Sequence, residues 1–132
     1  MRLYGLASLA AAVATVGCAA LAPPTATPEL QAAAQEPLVC DGVEQCTMYW
    51  RRAQAWIANN SRMKIQIATD AIVETYNPPT GATYFAYRLT REPVGGAKER
   101  IWIRAWCGNM FGCEAHPAVP MWSFKRYVRA DP

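Results

Sequence analysis

Two short rings, Cys40-DGVEQ-Cys46 and Cys107-GNMFG-Cys113, bracket the aromatic-rich part of this chain with the same Cys-x5-Cys spacing. A thioredoxin-type redox pair wants about two residues between its cysteines, so that one thiol sits at a helix N-terminus. Structural zinc sites pair ligands roughly two to four residues apart. The spacing therefore predicts two disulfide staples, with no metal and no cofactor. Four cysteines allow three pairings, and the local ones are expected. With Asp41 as helix N-cap, Cys40 is N′ and Cys46 is N5, close to the N′–N4 contact of a hydrophobic staple. In the second ring, Gly108 and Gly112 supply the freedom that a tight closure needs. Each ring removes roughly 2–2.5 kcal/mol of unfolded-chain entropy. That is a large share where net stability is about 5–10 kcal/mol.

The fifth cysteine, Cys18, belongs to a different segment. One Arg precedes an uncharged, Ala- and Leu-rich run from Leu3 to Ala22, the layout of a secretory signal over residues 1–22. Ala20-Leu21-Ala22 offers a small-x-small cleavage site, but Pro23 follows it. Thr15-Val16-Gly17-Cys18 resembles a bacterial lipobox, with Thr15 in place of the usual aliphatic residue; cleavage before a lipidated Cys18 is expected. Either route leaves an even four cysteines in a small exported domain, which is the setting for disulfides. Residues 23–39 carry four prolines among Ala, Thr and Gln and predict a flexible tether spanning roughly 20–25 Å.

Residues 40–132 then hold the stapled domain. Asp41 and Glu44 form a capping box, followed by a helical stripe at Cys46, Tyr49, Trp50, Ala53, Trp56 and Ile57. Asn59-Asn60-Ser61 ends that helix, asparagine tolerating the left-handed C-cap. The period then falls to two. Met63, Ile65 and Ile67 mark a first strand, Ile72 to Tyr76 a second, Thr83 to Thr90 a third and Arg100 to Trp106 a fourth. NPPTG and EPVGG read as loops. Pro117 or Pro120 opens a last helix with Met121, Phe124, Tyr127 and Val128 on one side. The expected fold is α+β: a two-layer sandwich of helix, four-stranded antiparallel meander and helix, both helices on one sheet face.

Alternation along the fourth strand sends Ile101 and Ile103 one way and Arg100, Trp102, Arg104 and Trp106 the other. Those four either cover a bare sheet face, guanidinium over indole, or bind a ligand. Trp suits sugar rings and aromatic groups, and Arg suits carboxylate or phosphate. His116, the single histidine, has no nucleophile or second histidine around it to predict catalysis or metal binding. Asp70, Glu74, Glu92 and Glu99 read as solvated groups near turns. A formal net charge of +3 is too mild to call for nucleic acid.

The stretch NNSRMKIQIATDAIVETYNPP (59–79), followed by LTREP and CGNMFGC, resembles a group of small, uncharacterised exported proteobacterial proteins, many of them lipoprotein-like. The similarity runs from Cys40 to Val128. The resemblance implies export and a compact domain with paired cysteines, and no activity for any residue. The expected function is a non-enzymatic binding or structural domain, held by lipid on Cys18 at the outer membrane and facing the periplasm. Its partner would be an envelope protein, a glycan or an anionic lipid. The alternative is a soluble periplasmic or secreted enzyme inhibitor, or a small enzyme, acting through NPPTG or GNMFG. Oligomeric state has no signature in the sequence.

Overall fold

A computed structural model describes residues 25–130. The chain order is α1 (Pro28–Gln35), β1 (Leu38–Asp41), α2 (Val43–Asn60), β2 (Ile65–Ala68), β3 (Ile72–Thr75), β4 (Ala86–Gly95), β5 (Lys98–Trp106) and α3 (Ala118–Arg129). All neighbouring strands are antiparallel, in the order β1-β5-β4-β3-β2. The α+β architecture is the expected one, with β2 to β5 forming the meander. The sheet has five strands rather than four, because Leu38–Asp41 adds itself to the free edge of β5, Leu38 opposite Ile101 and Asp41 opposite Lys98.

That fifth strand moves the start of α2. Asp41 is not its N-cap; Gly42 is, at φ +89, with no side-chain capping bond. Gly42 N–H donates to Ala97 O at 2.9 Å, which holds the chain to the β4–β5 turn. The N3 residue is thus Gln45, not Glu44, and its Oε1 accepts from the Asp41 N–H at 2.7 Å. A capping box would take the N–H of the N-cap itself; here the N3 side chain reaches one residue further, to the residue before the N-cap. Cys46, Trp50, Ala53, Trp56 and Ile57 form the buried face of α2. At its far end Asn59 and Asn60 donate side-chain N–H groups to Ala55 O and Trp56 O. The asparagine amides therefore bond back four residues onto carbonyls of the preceding turn, and the helix does not end through left-handed backbone, which no non-glycine residue adopts among the described residues.

Val73, Thr75, Tyr87, Leu89, Ile101, Ile103 and Ala105 bury one face of the sheet against the helices. Trp56 stands edge-on to both Tyr87 and Phe124, with ring centroids 5.3 and 5.5 Å apart. Phe124, fully buried on α3 with Met121 and Val128, contributes about 2–3 kcal/mol of apolar burial. Tyr127 points outward instead. A bulge in β2 places Ile65 opposite Thr75 and Ile67 opposite Glu74, so the two isoleucines take opposite faces rather than the same one. The segment expected as the EPVGG loop is mostly strand. Gly95 and Gly96, at φ +121 and +57, make so tight a turn that Glu92 and Pro93 stay in the ladder.

The expected 23–39 tether is corrected from Thr25 onward. Thr27 Oγ1 caps α1 by accepting from Leu30 N–H, and Pro28 occupies the first turn, where its missing N–H costs nothing. Ala34 and Leu38 are buried, and α1 packs on α3. The expected signal segment 1–22, with Cys18 as its expected lipidation site, and residues 23 and 24 lie outside the described residues. No helix among the described residues is long and apolar enough to cross a membrane.

Candidate functional site

Both cysteine pairs are joined as the local pairing expects, Cys40 to Cys46 and Cys107 to Cys113. Glu99 lies beside the first pair, but those two sulphurs are bonded to each other and offer no thiolate to a cation. The carboxylate of Glu99 instead pairs with Arg91, whose guanidinium sits 5.9 Å from the ring centre of Trp50. His116 Nδ1 accepts from the Ala118 N–H at 3.1 Å, so the lone histidine caps the start of α3. A surface trough of about 640 Å³ runs along α3 beside Val119, Trp122, Ser123, Arg126 and Tyr127 and is lined by neither a carboxylate nor a histidine among the described residues.

The helices occupy one side of the sheet, and the Arg-Trp row of β5 lies on the other. All four expected residues, Arg100, Trp102, Arg104 and Trp106, share that outward face, since Ile101, Ile103 and Ala105 between them are buried. The row is two units of different character. In the first, Glu92 on β4 stands opposite Arg100. One oxygen of Glu92 accepts from Arg100 Nε at 2.8 Å and from Trp102 Nε1 at 3.2 Å. The Arg100 guanidinium also lies 5.2 Å from the Trp102 ring centre. The Arg100 hydrogen bond, aided by the Trp102 N–H, holds the Glu92 carboxyl below the usual carboxylate range. This unit is complete in itself.

The second unit repeats the first four residues on, with its acceptor changed. Arg104 lies 5.3 Å from the centre of the Trp106 ring, and Trp106 Nε1 donates to Asn77 Oδ1 at 3.2 Å. Opposite Arg104, however, stands Arg88. Like charges directly across a ladder repel. Arg88 has a carboxylate, Glu74, at 2.9 Å, itself held by Gln66 Nε2 at 2.9 Å. Arg104 is exposed and has no carboxylate within ion-pair distance among the described residues.

Reading the sequence did not bring Arg88, Glu74 and Glu92 into the face. Arg88 was visible in principle, since it alternates with the buried Tyr87 and Leu89. Glu92 and Glu99, expected to be solvated beside a loop, are instead ion-paired across the ladder, because the strands run through to the glycine turn.

The two candidate loops meet at the end of the sheet near Trp106. Gly81 N–H donates to Gly108 O at 2.8 Å, Gly108 N–H to Ala82 O at 3.0 Å, and Asn109 Nδ2 to Gly81 O at 3.1 Å. Beyond this junction Met110 and Phe111 are 89% and 92% exposed. Compared with protein-family models, curated proteins and solved structures, the chain matches none of them.

Proposed function

We propose that this chain is a non-enzymatic domain of the cell envelope, tethered in the periplasm through lipid on Cys18, whose open sheet face binds an envelope component. The observation that carries the reading is Arg104, an exposed guanidinium laid over Trp106 on the sheet face away from the helices, with no carboxylate within ion-pair distance among the described residues. Two disulfides in so small a domain support an oxidising compartment. The partner class follows from the face: a ligand with an anionic group and a flat or ring-shaped body.

The binding test is co-sedimentation of the soluble domain with purified peptidoglycan sacculi and outer-membrane vesicles. The double variant Trp102→Ala/Arg104→Ala is expected to lose roughly tenfold or more in bound fraction, as removal of central Trp and Arg anchors does, with an unchanged circular dichroism spectrum. Undiminished binding rejects this face. A second reading rests on the exposure of Met110 and Phe111, a braced apolar tip suited to the pocket of a hydrolase. Binding that survives the face variant but is lost in Met110→Ser/Phe111→Ser moves the site to that loop.

Location has its own measurement, the intact mass of unreduced protein from a Gram-negative membrane fraction. The expected species begins at Cys18, carries acyl chains and lacks four hydrogens. A chain cut near Ala22 without lipid makes the protein a free periplasmic one.

A further inference from the structure

Resting on the binding-face reading above, we infer that Arg88, Arg104 and Trp106 form a subsite for an oxyanion carried on a sugar ring, the ligand class being an acidic glycan. The face contains its own template. In the Arg100–Trp102 unit a carboxylate, Glu92, accepts from both the guanidinium and the indole N–H. The Arg104–Trp106 unit has the same stacked geometry, at 5.3 Å against 5.2 Å. In place of the carboxylate, β4 presents a second guanidinium, Arg88. The unit is therefore one anion short of its neighbour, and an anion from outside bridging Arg88 and Arg104 completes it.

Geometry favours the bridge. Residues directly opposite on antiparallel strands have Cβ atoms about 4.5–5.5 Å apart, so two guanidinium forks can converge on one carboxylate, phosphate or sulfate. Glu74 holds Arg88 through Nη1, which fixes its direction and leaves its other N–H groups available. Asn77 takes the indole N–H of Trp106, so that ring is oriented before a ligand arrives. The surroundings choose the carrier. Thr90, Glu74 and Asn77 border the pair on this face; they provide hydroxyl, carboxylate and amide partners for a ring rich in hydroxyls. All three are polar, which suits the hydroxyls of a sugar better than an acyl chain. The part-exposed indole supplies the flat surface for the ring itself.

The experiment titrates the domain with trigalacturonate, with its methyl ester and with phosphatidylglycerol vesicles. It follows the indole N–H signal of Trp106 and the Nε–H signals of Arg88 and Arg104 by NMR. Expected are saturable shifts with the free acid, at least tenfold weaker binding of the ester, and at least tenfold losses for Arg88→Gln and for Arg104→Gln. Arg126→Gln, which removes one positive charge on α3, leaves the affinity unchanged and controls for net charge. Equal binding of acid and ester overturns the oxyanion subsite while the face reading stands. Shifts with vesicles alone replace the glycan by a lipid headgroup and overturn the carrier. With no shift from any probe the subsite falls; the face reading falls with it only if sedimentation with sacculi and vesicles is also independent of Trp102 and Arg104.

Discussion

Gly108→Ala is expected to destabilise the domain by about 3 kcal/mol, at the upper end of overpacking costs, and to lower Tm by roughly 10–20 °C. A Cβ on Gly108 would lie 2.1 Å from Pro79 O, 3.0 Å from Pro79 C and 3.2 Å from Pro78 O. Every one of these is a backbone atom, so no rotamer change relieves the clash. The backbone is also held from both sides, by Ala82 N–H on Pro79 O and by the paired bonds between Gly81, Ala82 and Gly108. On the other flank the Cys107–Cys113 disulfide limits how far residue 108 retreats. The loops must part, and Asn77 is then no longer held against Trp106. Gly112→Ala separates crowding from strain. Gly112 has φ +132 but nothing within 4 Å of its Cβ position, so its cost is conformational, about 1–2 kcal/mol. Thermal melts of both variants decide the matter. Similar melting for Gly108→Ala and the unsubstituted protein would mean that the two loops are not joined backbone to backbone.

What sequence alone reveals here divides along local and non-local lines. The buried stripe of α2, the alternation of Tyr87 and Leu89 in β4 and of Arg100 to Trp106 in β5, and the two rings are local patterns, and each was legible. β1 was not, because four residues after Pro37 carry no period long enough to detect; its evidence is the pairing of Leu38 with Ile101, far away in the chain. α1 had a start signal in Thr27-Pro28-Glu29, yet few large apolar side chains, so the segment read as a tether. The site divides the same way. Alternation placed Arg100, Trp102, Arg104 and Trp106 together, but which unit has a carboxylate depends on the β4–β5 register. Extending β4 through Pro93 puts Glu92 opposite Arg100 and Arg88 opposite Arg104, and only then do the two units differ.

Lys125→Met should release α1 from the body of the protein at a cost of about 2–3 kcal/mol, the range for stripping hydrogen bonds to a charged group from buried partners. Lys125 is 2% exposed, and its Nζ donates to Ala33 O and Ala34 O, each at 2.6 Å, and to Glu36 O. These carbonyls belong to the end of α1 and the residues just after it, where a helix has unsatisfied acceptors and a partial negative charge. Methionine keeps the stem's packing but donates nothing. Amides of α1 should then exchange rapidly while those of β4 and β5 remain protected; protection retained in α1 would show that packing of Ala34 is enough to hold it. The same lysine gives a pH signature. Burial, followed by repulsion from Arg129 and against attraction from Glu36, lowers it from 10.5 to about 8. Between those values the unfolded chain holds a proton that the folded protein has released, so stability rises with pH across the window. Below about 8 both states are protonated and the contribution is level. The stability difference between the unsubstituted protein and Lys125→Met should accordingly grow from pH 8 toward pH 9.5, before tyrosines ionise in the unfolded chain. A difference that shrinks over that range would mean the three carbonyls hold the ammonium more firmly than burial disfavours it.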